Sequence, residues 1–344
     1  MSLDLTALAE RIAGELARGD QARRAPGGVS VTSGASGAPP SAVVAPGAPP
    51  QRQIASTSAT VPHQFLAGVI NSSQVSTGAP PGVAFVREQA RIADFIDHTL
   101  LKAEATRREV EQLCAEAAEH RFAAVCVNPV WVPLCAGLLR GKEAKVATVI
   151  GFPLGANATA IKAAEAHLAV EQGADELDMV AAVGHMKSGD WAHVANDIAA
   201  VVRAAAGRLV KVIIESAALT PVEVIKVSAI AREAGAQYVK TSTGFHPSGG
   251  ASAEAVALMR LVVGDTMGVK ASGGVRDCAT AIKMIGSGAT RIGTSSGVAM
   301  AKCMAAGPLP LRELLSEPHV HTGRCATGAC SNEPAAVPAA AGPY

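Results

Sequence analysis

Hydrophobic and polar positions change rhythm along this chain. From about residue 88 to residue 306, short apolar runs alternate with longer Ala/Glu/Lys-rich stretches. The runs predict eight strands: Phe95–Leu100, Ala123–Val127, Lys145–Ile150, Glu176–Val180, Val210–Glu215, Tyr238–Ser242, Val269–Ala271 and Arg291–Gly293. The stretches between them, such as KAAEAHLAVEQGA, read as helices, and Gly173 supplies a stop for that one. Eight βα units over roughly 220 residues predict an α/β fold of the closed (β/α)8 TIM-barrel kind. A doubly wound open sheet is the alternative. The G-x-G-x-x-G dinucleotide fingerprint, however, does not follow the first strand.

Outside that region the pattern is different. In residues 1–19, Leu5, Leu8, Ile12 and Leu16 fall on one narrow face of a helix, with Glu10, Arg11 and Arg18 off the stripe. Ser2 can cap its start and Gly19 can stop it. Residues 20–87 form an Ala/Gly/Pro/Ser/Thr-rich linker with little to bury, interrupted by one apolar island, Phe65–Ile70. Residues 307–344 return to a polar, Ala/Pro/Gly-rich tail. The domain reading is therefore 1–19 amphipathic helix, 20–87 linker, 88–306 barrel and 307–344 tail.

Composition narrows the function. Hydrophobic residues make up 49% of the 344 but aromatics only 3%, so the core is built from Ala, Val, Ile and Leu, as parallel strands under helices require. The formal net charge is +1, which offers no general attraction to nucleic acid or an anionic membrane. An anionic substrate would need a local site. No apolar run is long enough to span a bilayer, and the first residues do not form a secretory signal. Seven scattered cysteines suggest a reducing, cytoplasmic compartment rather than a disulfide framework. His319, His321, Cys325 and Cys330 in the tail match no strong zinc pattern.

In a barrel of this kind the active site lies at the C-terminal ends of the strands. Two strands there each carry one lysine before a Gly-containing turn: Lys240 in YVKTSTGF and Lys270 in GVKASGGVR. An amine is nucleophilic only when unprotonated. Burial and a neighbouring positive charge both lower its pKa, which is what a Schiff-base enzyme needs. Asp178, flanked by Leu177 and Met179, is a carboxylate whose burial demands a cationic partner. Asp97 is a similar candidate, whereas His98 beside it reads as a core histidine. Cys126 reads as a small residue lining the pocket rather than a nucleophile. Gly244, Gly273, Gly274 and the run Gly293-Thr294-Ser295-Ser296 follow strands six, seven and eight, where backbone N–H groups can approach a phosphate. The barrel shows no His/carboxylate cluster suited to a catalytic divalent metal.

Taken in order, IDHTLL, AVCVNP, VATVIGFPLG, GADELDMV, VKVIIE, KTSTGF, VKASGGVRD and RIGTSSGV resemble the deoxyribose-phosphate aldolase family over essentially all of residues 90–306. The resemblance implies reversible cleavage of 2-deoxy-D-ribose 5-phosphate through a lysine Schiff base, with no metal or organic cofactor, and a homodimer. It implies that Lys240 forms the Schiff base, that Lys270 depresses its pKa, and that Asp178 relays protons with Lys270. Asp97, Cys126 and Thr241 then fall in the substrate pocket, and Gly244, Gly273, Gly274, Gly293, Ser295 and Ser296 at the phosphate. Val180–Val183 departs from the family, where a more polar stretch is expected. Some members end in a tyrosine that reaches the site, which draws attention to Tyr344. Another Schiff-base barrel of transaldolase type, or a non-catalytic cargo or scaffold protein, remains an alternative. Residues 1–19 with their linker resemble the encapsulation peptides of bacterial microcompartment cargo, implying shell proteins as partners and a place in a microcompartment lumen. A helix that docks on the barrel or dimerises is the other reading.

Overall fold

The computed structural model describes Val86, residues 89–306 and residues 310–316. The expected helix at 1–19, nearly all of the linker at 20–87 with its Phe65–Ile70 island, the tail histidines and cysteines, and Tyr344 lie outside the described residues. Eight parallel strands close in sequence order into a barrel: β1 (Ile96–Leu100), β2 (Ala124–Val127), β3 (Lys145–Ile150), β4 (Glu176–Val180), β5 (Leu209–Ile213), β6 (Tyr238–Lys240), β7 (Gly268–Ser272) and β8 (Arg291–Thr294). The TIM-barrel expectation is met, and the open doubly wound sheet is excluded because β8 pairs with β1.

The helices are α1 (Arg107–His120), α2 (Val132–Leu138), α3 (Thr159–Glu171), α4 (Val183–Lys187), α5 (Trp191–Ala204), α6 (Pro221–Glu233), α7 (Ala253–Val263), α8 (Cys278–Gly286), α9 (Gly297–Ala306) and α10 (Leu311–Ser316). Side chains fix several of their starts. Thr106 with Glu109, and Thr220 with Glu223, form capping boxes, while Asp190, Ser252 and Asp277 each accept a hydrogen bond from the first turn. The main core lies between the strands' outer faces and these helices. It is built from Val, Ile, Leu, Ala and Met with few aromatics, as composition required.

Four strands end elsewhere than expected, and the starts of β1, β2, β5 and β7 differ by one residue. β5 ends at Ile213, because Glu215 turns into the left-handed region at φ 56° and its carboxylate accepts from the Thr243 backbone N–H and hydroxyl. β6 ends at Lys240, and β7 and β8 each run one residue beyond their expected ends. The packed unit also extends past 306. α10 buries Leu311 and Leu315, one helical turn apart, so the tail's first segment belongs to the core. Val86 is buried as well, so packing begins slightly before residue 88.

Candidate active site

Inward-facing side chains divide the barrel lumen into two halves. On the β2–β3 side, Ala124, Cys126, Ala147 and Val149 join Leu101 in a small apolar cluster. Phe152 and Phe245 pack against it, edge to face, with centroids 5.1 Å apart. The other side is charged. Lys240 and Lys270 are register partners on β6 and β7, so their side chains leave the sheet side by side. Both Nζ atoms donate to the same oxygen of Asp178, at 2.8 and 2.7 Å, and Lys211 donates to its other oxygen at 2.7 Å. Lys270 also donates to Asp97, which in turn accepts from Arg291 Nε at 2.7 Å. Glu176 closes the network, pairing with Lys211 at 2.6 Å and Arg291 at 2.8 Å.

All seven groups are buried. Four basic side chains (Lys211, Lys240, Lys270, Arg291) face three carboxylates (Asp97, Glu176, Asp178), so full ionisation would leave one unbalanced positive charge inside the barrel. An unbalanced charge in such surroundings is expelled by losing its proton. Geometry selects Lys240 for that loss. Lys270 has two carboxylates and Lys211 has three within reach, whereas Lys240 has only Asp178, already shared with two other ammonium groups. Burial pushes the Lys240 pKa down, Asp178 only partly opposes this, and Lys270 adds to it. Burial also disfavours charge on Lys270 and Lys211, but there the carboxylates outweigh it and both pKa values rise. Asp97 and Asp178 lie far below the usual carboxylate range. Burial would raise them, but Arg291 and the lysines prevail. The arrangement favours proton loss at Lys240 over Lys270, with one carboxylate touching both.

Other expected residues divide between the pocket and its frame. Asp97 proves central to the network. Cys126 lines the apolar half, and burial pushes its thiol pKa up, consistent with packing rather than nucleophilic work. His98 faces the helices, where its Nε2 lies 2.6 Å from Glu116. Thr241 is not brought into the pocket. Its hydroxyl donates to the Ser272 carbonyl and accepts from the Ser272 N–H, tying β6 to β7. Gly293 lies inside β8, not in the turn after it. A Cβ there would sit 2.3 Å from Ser272 Oγ and 3.1 Å from Lys270 Cε, so the missing side chain makes room first for Ser272 and also for that lysine.

Gly244, Gly273 and Gly274 adopt φ of 86°, 82° and 80° in the loops after β6 and β7. Those loops meet backbone to backbone. A Cβ on Gly250 would fall 2.1 Å from the Gly273 carbonyl oxygen, which accepts from the Ala251 N–H. Ser295 and Ser296 lead into α9, at the same end of the barrel. Sequence reasoning passed over Lys211 and Arg291. Lys211 carries the same signal as the other two lysines, a lone basic residue in an apolar strand. Arg291 opens β8 and gave no such contrast.

A sequence model of the DeoC/LacD family aldolases matches residues 91–302. The chain is 58% identical over 210 residues to a deoxyribose-phosphate aldolase of Geobacillus sp. (strain WCH70), covering 61% of this chain and 94% of that one. It is 55% identical over 221 residues to that of Carboxydothermus hydrogenoformans, covering 63% and 96%. Among solved structures, the tetrameric deoxyribose phosphate aldolase of Aeropyrum pernix superposes with a TM-score of 0.59 at 35% identity, covering 62% of this chain and 91% of that chain. The aldolase QR15 gives 0.59 at 42%, covering 61% and 94%. With the paired barrel lysines and this extent of likeness, the chain belongs to the DeoC/LacD family of aldolases.

Proposed function

We propose that this protein is a deoxyribose-phosphate aldolase that cleaves 2-deoxy-D-ribose 5-phosphate reversibly to acetaldehyde and D-glyceraldehyde 3-phosphate, with Lys240 as the Schiff-base nucleophile. The observation that carries the assignment is the charge imbalance around Asp178, which leaves Lys240 as the amine able to be neutral while Lys270 stays protonated.

The chemistry follows from that difference. The lone pair of Lys240 Nζ attacks the C1 aldehyde of the open-chain sugar. The carbinolamine loses water, with a proton delivered from the Lys270–Asp178 pair, and leaves an iminium ion. A base, a water held by Asp178 and Lys270, takes the proton of the C3 hydroxyl. The C2–C3 bond breaks, its electron pair moves into the iminium, and glyceraldehyde 3-phosphate leaves. The enamine on Lys240 is then protonated at carbon and hydrolysed, releasing acetaldehyde and the free amine. Cys126, Ala147 and Val149 offer the two-carbon fragment an apolar wall, suited to a carbon without a hydroxyl. The fixed charges of Lys270 and Asp178 do the electrostatic work.

The phosphate is assigned to the loops after β6, β7 and β8, at Gly244, Gly273, Gly274, Ser295 and Ser296. Left-handed glycines there let backbone approach an anion, and α9 points its N-terminus toward the same end. A homodimer is part of the proposal, supported by the family resemblance. Residues 1–19 are proposed as an address for microcompartment shell proteins. The support is their apolar stripe and the linker that follows, together with the volatility of acetaldehyde, which a shell would retain.

Trapping tests the central assignment. Borohydride reduction with acetaldehyde should leave an N-ethyl group on Lys240, found by peptide mapping. An adduct on Lys270 instead would reverse the two roles, and release of a product other than acetaldehyde would favour the transaldolase-type alternative.

A further inference from the structure

A second cluster of metal-competent side chains lies away from the barrel lumen. His185 sits near the end of α4, Asp190 caps α5, and His193 occupies the first turn of α5. One ligand atom from each lies within 4.8 Å of the others, the one such cluster of three among the described residues. We propose that His185, Asp190 and His193 form a binding site for a borderline divalent transition ion of the zinc class, which would staple α4 to α5 immediately beyond β4.

The donor chemistry suits that class of ion. Two imidazoles and one carboxylate form a neutral-N/anionic-O set preferred by zinc and its neighbours over calcium or magnesium. His185 Nδ1 lies 3.0 Å from Asp190 Oδ2. Two ligands each about 2.1 Å from one ion and about a right angle apart are separated by this same distance, so an ion can replace the shared proton without backbone movement. The two rings stack 3.6 Å apart and 10° from parallel. Rotation of one ring about its Cβ–Cγ bond turns a ring nitrogen toward the Asp190–His185 edge, and partial exposure leaves room for it.

The frame is pre-organised. The Ser188 N–H donates to Gly184, that of Gly189 to Met186, and that of Asp190 to the His185 carbonyl, while Gly189 turns the chain at φ 75°. Asp190 accepts from the His193 backbone N–H, which fixes its carboxylate at the start of α5. The ammonium of Lys187, two residues along α4 from His185, is engaged elsewhere, since it pairs with Glu223 at 2.8 Å and donates to the Ala218 carbonyl. These residues touch neither Lys240 nor its network, so the ion would be structural and not part of the lyase reaction.

Equilibrium dialysis of the full-length, tag-free, chelator-treated protein against zinc chloride, paired with thermal denaturation, tests the site. The wild type should bind one zinc more than His185→Gln or His193→Gln, and zinc should raise its Tm while leaving both variants' Tm unmoved. The variants should keep the wild-type Tm without metal and the wild-type aldolase rate. Equal zinc stoichiometry and equal Tm response in all three proteins would overturn the proposal, as would no zinc bound at all. Zinc held by the tail residues His319, His321, Cys325 and Cys330 would give that equal stoichiometry.

Discussion

At the scale of single residues, the candidate site is a charge-counting problem. Lys270→Met removes the ammonium beside Lys240, so the pKa of Lys240 should rise and the acidic limb of kcat/KM should move to higher pH. A profile unchanged in shape but scaled down would mean Lys270 acts in proton transfer alone. The Lys240 pKa is lowered on folding, so the unfolded chain binds this proton more readily between the folded value and the ordinary lysine value of 10.5. Stability from this group therefore rises with pH across that window. Lys240→Met should abolish turnover, yet at neutral pH raise stability by about 1 kcal/mol, since an ill-balanced buried amine is replaced by an apolar chain. Lys211→Met should do the opposite and cost about 3–5 kcal/mol, because three carboxylates lose a shared cation. Thermal denaturation of the two variants separates these outcomes. Lysines that looked alike in sequence thus take different roles, and the number of carboxylates in reach decides which.

At the scale of elements, the loops after β6, β7 and β8 should govern phosphate recognition. Ser296 lies at the start of α9, where its carbonyl accepts from the Met300 N–H, and Ser296→Asp places a negative charge at that helix N-terminus. KM for the phosphorylated sugar should rise at least tenfold while unphosphorylated 2-deoxyribose is turned over as before. Equal losses on both substrates would put the phosphate elsewhere. Strand positions and lysine placement were legible in sequence, because a lone lysine inside an apolar run contrasts sharply with its neighbours. Strand ends were less so. Val210–Glu215 reads as one apolar run, yet Glu215 leaves the strand to hold Thr243, a contact 28 residues away. Gly293 was expected at the phosphate and Thr241 in the substrate pocket. Gly293 clears space for Ser272 and Lys270, and Thr241 ties two strands together.

At the scale of the whole molecule, the barrel accounts for about two thirds of the chain, and the family match stops at residue 302. The family match begins at residue 91, so the N-terminal 85 or so residues lie outside it. Fusion of residues 1–24 to a fluorescent protein, co-expressed with shell proteins, should give fluorescent foci. Diffuse fluorescence with intact shells would leave the helix to dock on the barrel or to dimerise. Removal of the same residues from the enzyme should leave kcat/KM unchanged.

Sequence alone determined the eight βα units, the lysine pair and the cationic partner demanded by Asp178. These follow from local periodicity and from the cost of placing a charge in an apolar strand. Closure of the barrel was decided by the pairing of β8 with β1. Tertiary structure decided which lysine can be neutral, because that depends on Asp97, Glu176, Lys211 and Arg291 arriving from four other strands. It also brought His185, Asp190 and His193 together through a tight turn. Electrostatic energy depends on distances between groups far apart in the chain, and only the closed barrel sets those distances.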